Sequence, residues 1–471
     1  MDAVELAGVW LESLIMQTIT DRPMALALES SRHIPCAVSL RIADGTWNVP
    51  ATLPTKRAAL TDRRDFLKLA AGLGLSFAAP GMDLRAADQR GPERKKSLMV
   101  VWLEGGPSQL ETWDPHPNGP IGGPTRAIAT SVTGLQIAEH FPRMAEQMHH
   151  LSVVRSLVSK EGDHDRASHF VRTGYRPDAT VTHPSLGSIV TRELPNESLE
   201  IPPFISLGYS QRHSRGGYLG GRYDAFYIAD PYGNRIAAQS RNEREQRRLK
   251  NLDVVSGAFS KGRAGAFELT LYRESLDAAV RMMTSEQLQS FDIALEPEAV
   301  RASYGNSQVG RACLIGRRLI EQGVRVVEVT QLNYDTHEDN FNKHRTLVGD
   351  LDPALSALVR DLADRHLLES TVLLCLGEFG RTPRINGKEG RDHWPSGFSC
   401  VVGGGGLASG VVLGATDPTG SRKEPDDPIQ IPDLYATLLQ TLGIDFKQQV
   451  ITPISRPIRF SDGKPIERLL G

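Results

Sequence analysis

The 471-residue chain contains only four cysteines, Cys36, Cys313, Cys375 and Cys400, and no two of them form a CxxC pair. That excludes a thiolate zinc knuckle and a disulfide framework, and leaves Cys313, Cys375 and Cys400 to be read as lone buried thiols. An excess of one charge is missing too. Lys and Arg number 54 against 56 Asp and Glu, a net charge of −2, so nothing electrostatic argues for nucleic acid or an anionic membrane as partner. Aromatic residues make up 6% of the chain, and nothing else in it speaks for a carbohydrate-binding surface protein. Internal repeats and low-complexity segments are absent. What is present, 40% hydrophobic and 23% charged residues, is the composition of a soluble globular protein, long enough for one large domain or two ordinary ones.

Residues 62–80 read DRRDFLKLAAGLGLSFAAP. Arg63 and Arg64 lead into an apolar stretch of about 12 residues, short of the ~20 that span a bilayer and without a stop-transfer flank. Small residues and AADQRGPERKK, of linker composition, follow. The pattern resembles a twin-arginine export signal, an address read by a receptor rather than an anchor. The plainer alternative is an amphipathic helix with a basic start. The signal reading implies the twin-arginine export machinery as a partner, no stable membrane anchor, a cut near Ala86 or Ala87, and a destination in the periplasm or at the cell surface. It also divides the chain. Residues 1–61 are an N-terminal extension, disordered or a misassigned start; 62–95 are signal and linker; 96–471 are the folded domain, with a helical insertion near 210–300.

From residue 97 apolar runs of strand length alternate with helical periodicity. SLMVVWL (97–103), LSVVRSL (151–157), VRVVEVTQL (324–332), TVLLCLGEF (371–379) and FSCVVGGGG (398–406) read as buried strands. GRACLIGRRLIEQG (310–323), residues 345–366 and IPDLYATLLQTLGI (431–444) read as helices, the second with Leu347, Leu351, Leu355, Leu358 and Leu362 three and four apart. Such alternation predicts an α/β fold with a mostly parallel central sheet flanked by helices.

In open α/β sheets ligands bind at the carboxyl ends of the strands. Five connections bring carboxylates and imidazoles to that edge. They carry Glu104; Asp163, His164 and His169; Asp335 and His337; Glu378; and Asp392 and His393. Carboxylates mixed with imidazoles are metal chemistry, suited to Zn, Mn, Fe or Mg and to one or two ions. Asp392 could orient His393 rather than bind. Arg381 and Arg391 sit in the same stretch, GEFGRTPRINGKEGRDHW. They are candidates either for a clamp on a phosphate-like or sulfate-like anion or for salt bridges to the nearby acids.

GGPSQLETWDPHP, GDHDRASHFVRTGY, DTHEDNF, GEFGRTPRINGKEGRDHW and the closing IPDLYATLLQTLGI together resemble an exported sulfatase-like family known only as a domain of unknown function (fifteen-oh-one). The family looks like a branch of the alkaline phosphatase superfamily, and the resemblance covers about residues 97–455. It implies an alkaline phosphatase/sulfatase-like sandwich. It would make Asp335, His337 and His393 ligands of one metal, and Glu378 with an acid after the first strand (Glu104, Glu111 or Asp114) ligands of another. The formylglycine motif Cys-x-Pro-x-Arg is absent, since Cys313 is followed by Leu-Ile-Gly-Arg. A hydroxyl nucleophile would be Ser156, Ser159 or Ser108, with Ser156 roughly where the superfamily places it. The resemblance implies a metal-dependent hydrolase of phosphate or sulfate esters, acting on a small molecule or polysaccharide. The alternative is a non-catalytic metal-binding or structural protein on the same fold.

Overall fold

Seven consecutive residues, Ser97–Leu103, are all buried, and this strand (β1) is the middle of the sheet. The computed structural model describes residues 95–231, 281–282 and 285–471. The twin-arginine stretch, the extension before it, Cys36 and much of the 210–300 stretch lie outside them. The other strands of the main sheet are β2 (Leu151–Val158), β3 (Phe204–Leu207), β4 (Phe226–Ile228), β5 (Val326–Gln331), β6 (Thr371–Leu376), β7 (Phe398–Gly403), β8 (Val412–Leu413) and β9 (Ile429–Gln430). They lie in the order β8-β2-β7-β6-β1-β5-β3-β4, with β9 also pairing β2. Only β7 runs against its neighbours, antiparallel to both β2 and β6. The sheet is mostly parallel, as the apolar runs imply.

Both faces are covered. Side chains of β1 alternate between two cores, as strand geometry demands. Met99, Val101 and Leu103 join a cluster with the helices α1 (Pro142–Gln147), α4 (Gln308–Glu321) and α5 (Asn340–Asp364). Leu98, Val100 and Trp102 join a second cluster with α2 (His164–Thr173), α3 (Leu186–Glu193) and α6 (Ile431–Thr441). Cys313, Cys375 and Cys400 are free buried thiols within these cores. Pro353 stands inside α5, and its neighbour Asp352 turns away to accept from the Arg143 and Met144 amides that open α1.

The reversed direction of β7 brings distant segments together. The edge reached by the ends of the parallel strands is also the edge from which β7 starts. Residues just before Phe398 therefore meet residues just after Leu103, Val158, Gln331 and Leu376. A two-residue ribbon completes the approach, with His393–Trp394 pairing antiparallel to Gly380–Arg381 and His393 opposite Arg381.

Candidate metal centre

Four segments meet at this edge. After β5, Asn333 takes a left-handed conformation (φ 79°) and turns the chain to present Asp335 and His337. After β6 comes Glu378, fully buried. After β2, Asp163 caps α2 by accepting from the Asp165 and Arg166 amides, which sets His164 on the first turn. The ribbon supplies Asp392 and His393. Two glycines permit the approach. A Cβ on Gly105 (φ +113°) would stand 2.5 Å from the Asp335 amide nitrogen, and one on Gly390 would stand 1.9 Å from the His337 carbonyl oxygen.

The Asp335 carboxylate is the hub. Its Oδ1 lies 3.1 Å from His337 Nε2 and 3.3 Å from His393 Nε2, and its Oδ2 lies 3.4 Å from His164 Nε2. Each of these rings is held from its far side. His164 Nδ1 is 2.8 Å from Glu378 Oε1, His337 Nδ1 is 2.8 Å from Asp392 Oδ1, and His393 Nδ1 is 2.7 Å from the Gly162 carbonyl. A carbonyl can only accept, so His393 Nδ1 carries a proton, and whenever the ring is neutral its Nε2 turns a lone pair inward. Asp392, holding Nδ1 of His337, gives that ring the same tautomer. Yet His337 Nε2 and His393 Nε2 stand 3.0 Å apart. Two lone pairs at that distance repel unless a cation, a proton or a metal ion, lies between them. The spacings of 3.0–3.4 Å suit adjacent donors that each sit about 2.0–2.2 Å from one ion. Backing each imidazole with a carboxylate or carbonyl is also what metal-ligating histidines require. His164, Asp335 and His393 form a set whose ligand atoms all fall within 4.8 Å of one another. The residues present fit a divalent ion.

Electrostatics point the same way. Hydrogen bonds to Asp335 and then Glu378 raise the His164 pKa to about 9. Burial works against ionisation of Asp335, but hydrogen bonds from His164, His393 and Arg381 outweigh it and hold this carboxyl far below its usual range. The His337 hydrogen bond likewise lowers Asp392. The cluster is a well for positive charge.

Several residues named from the sequence have other work here. Glu378, expected to bind metal, spends Oε1 on His164 and on the Gly105 amide (2.9 Å), while Oε2 is buried without a hydrogen-bond partner. Asp392 holds His337 rather than His393. Glu104, Glu111 and Asp114 do not join the cluster. Glu104 accepts from Ser210 Oγ (2.6 Å), the Gln211 amide (3.0 Å) and Arg212 Nη1 (3.3 Å). Glu111 pairs with Arg391 at 3.0 Å, and Asp114 accepts from the Thr416 amide at 2.7 Å.

Both arginines are corrected as anion clamps. Arg391 has no exposed surface and donates to both Glu111 oxygens and to the carbonyls of Thr382, Pro383 and Ile121. Arg381, equally buried, donates to the carbonyls of Gly105, Gly106 and Arg391 and to Asp335 Oδ1 (2.6 Å). Ser156 is buried in β2 against Gly414, its hydroxyl without a hydrogen-bond partner among the described residues. Ser108 is equally buried, and Ser159 Oγ accepts from the Glu161 amide. Sequence reasoning missed the Gly162 carbonyl and Gln109, whose amide grips Arg381 N and O at 2.9 Å each. A backbone acceptor leaves no sequence signal, and Gln109 is an ordinary polar residue in GGPSQLE.

A cleft of about 530 Å³ lined by Tyr175, Arg176, Asp178, His183, Arg456 and Arg459 lies beyond the other end of α2. It contains none of the clustered residues, and the chemistry rather than the volume marks the site.

Fold and site together define an α/β protein with a histidine–aspartate cluster at the carboxyl edge of its sheet. The chain belongs to the family described as protein of unknown function (DUF1501), whose model matches residues 95–470. No curated protein matches it. Among solved structures it is similar to a protein in the alkaline phosphatase superfamily from Vibrio parahaemolyticus (10% identity, 80% of this chain and 71% of that one, TM-score 0.36). It is also similar to the PsFucS1 sulfatase from Pseudoalteromonas sp. (13%, 74% and 68%, 0.34) and to the lipoteichoic acid synthase LtaP from Listeria monocytogenes (11%, 74% and 72%, 0.32). Likenesses this distant carry nothing about activity or substrate. Among the described residues no helix is long and apolar enough to cross a membrane.

Proposed function

We propose that the protein is an exported, metal-dependent hydrolase of phosphate or sulfate esters, acting on a small molecule or a polysaccharide. One observation carries this reading: imidazole nitrogens of His164, His337 and His393 converge on the Asp335 carboxylate while each ring is held from behind. His164, Asp335 and His393 would hold the ion, with His337 beside Asp335 and His393 as a further imidazole, and imidazole ligands favour Zn over Mg. A bound divalent ion polarises an ester oxygen and brings the pKa of water towards ~7.

The chain's own residues do the rest. Glu378, Asp392 and the Gly162 carbonyl fix the three ring tautomers. Arg381 pins Asp335 and keeps it ionised. The cysteines Cys313, Cys375 and Cys400 are buried, and so are Ser108, Ser156 and Ser159, so this reading takes water as the source of the hydrolytic oxygen. The burial of the three candidate serines favours a second reading, a metal-binding protein without turnover. Purified protein with and without a chelator, assayed on a panel of aryl phosphates and aryl sulfates, separates the two. Chelator-sensitive turnover of either ester class supports the hydrolase. Full metal content with no turnover on the panel supports the second reading.

The export part rests on Arg63 and Arg64. Replacing both by Lys is expected to keep the protein in the cytoplasm with its leader uncut; fractionation showing unchanged export would exclude the twin-arginine route.

A further inference from the structure

An ester anion needs a cation with N–H groups to spare, and Arg381 and Arg391 are sealed inside the protein. We infer that Arg212 is the residue that binds the substrate's oxyanion, an inference that rests on the ester-hydrolase reading. Arg212 stands between two segments that flank the cluster. Its Nε donates to Asp165 Oδ1 at 2.6 Å, and Asp165 directly follows His164. Its Nη1 donates to Glu104 Oε1 at 3.3 Å, and Glu104 directly precedes Gly105, whose amide donates to Glu378 and where a Cβ would stand 2.5 Å from the Asp335 amide nitrogen.

The loop that carries Arg212 is tied down at several points. Ser210 Oγ donates to Glu104 Oε2 (2.6 Å) and accepts from the Arg212 amide (3.1 Å), and the Gln211 amide donates to Glu104 Oε1 (3.0 Å). Glu104 is 3% exposed, so the anchor is buried and fixed. This gives that acid a task other than metal binding: it orients the arginine. The Arg212 side chain keeps 21% of its surface open, and its Nη2 makes no hydrogen bond among the described residues. Its other partner, Asp165, is 80% exposed, and an exposed pair of this kind is weak. An incoming oxyanion can take that place and use the planar guanidinium edge for two parallel hydrogen bonds. Lysine offers a point charge instead of a fork.

The test uses the full chain loaded with zinc and calorimetric titration of inorganic phosphate and inorganic sulfate, with metal content measured for every variant. Arg212→Lys keeps a positive charge opposite buried Glu104, so it is expected to fold and hold full metal yet bind the anion about 10-fold more weakly. Arg212→Met is expected to lose more. Asp165→Asn is expected to tighten anion binding several-fold in the wild-type background and much less in Arg212→Lys, a coupling that a purely structural ion pair would not produce. Wild-type affinity in both Arg212 variants would overturn the assignment while leaving the ester reading standing. A zinc-loaded wild type that binds neither anion would overturn both.

Discussion

Arg391 and His393 are two residues apart in one loop and live in opposite conditions. Arg391 has no exposed surface, and its donors are spent on Glu111 and three carbonyls. The His393 side chain keeps 25% of its surface, has one nitrogen fixed by Gly162, and turns the other towards Asp335 and His337. Both are polar residues in a glycine-rich stretch, and composition does not tell them apart. Burial combined with saturated hydrogen bonding marks a strut. Partial exposure combined with an uncommitted lone pair marks a site.

The strut side of this comparison is expected to break hardest. Arg391→Met leaves Glu111 buried at 1% exposure without its charge partner, held among the described residues only by the Asn340 side-chain amide. Removing one partner of such a pair costs about 3–5 kcal/mol. Urea or thermal unfolding checks this, and a loss below about 1 kcal/mol would show that Arg391 is dispensable.

The next effect is pH-dependent and also structural. His344 is fully buried beneath the site, its Nε2 accepting from the Ser108 amide and its Nδ1 bonded to the Asn340 carbonyl, and burial lowers its pKa from 6.5 to about 4. Between those values the unfolded chain binds the proton and the folded one does not. Stability from this residue is therefore fully present above pH 6.5 and falls as pH drops towards 4, by on the order of 3 kcal/mol. Unfolding curves across that window, compared with His344→Gln, should show a shallower slope in the variant; equal slopes would remove His344 as the cause.

On the site side, Glu378→Gln keeps the size of the side chain but weakens its hold on His164. Loss of a group backing a ligand costs about 10–100-fold in metal affinity. Competition with a chelating dye measures this, and unchanged affinity would mean that His164 needs no partner behind it.

Much of the sheet was legible because parallel strands buried on both faces read as continuous apolar runs, and Ser97–Leu103 has the bounds its sequence implies. The reversed direction of β7 was not, since an apolar run carries no arrow. Nor were β3, β4 and the ribbon at Arg381, which are four residues or fewer. Asp335, His337 and His393 stood out as imidazoles and a carboxylate placed at strand edges, and 58 positions of separation did not hide the pairing of Asp335 with His393. The division of labour stayed hidden. Whether a carboxylate faces the ion or the back of a ring depends on contacts of 2.8 Å, as at Glu378 and Asp392, and no spacing rule encodes that. The internal bonding of Arg381 and Arg391 was hidden for the same reason, because their partners are mostly backbone carbonyls.

The central claim is that the imidazoles gathered on Asp335 hold a divalent ion. Elemental analysis of purified wild type and of His337→Ala/His393→Ala tests it most directly, alongside thermal unfolding of both with and without chelator. The expected result is bound divalent metal in the wild type, almost none in the double variant, and a chelator-induced drop in melting temperature confined to the wild type, since an ion bound only to the folded state stabilises it by mass action. A double variant with the full metal content of the wild type would contradict the account.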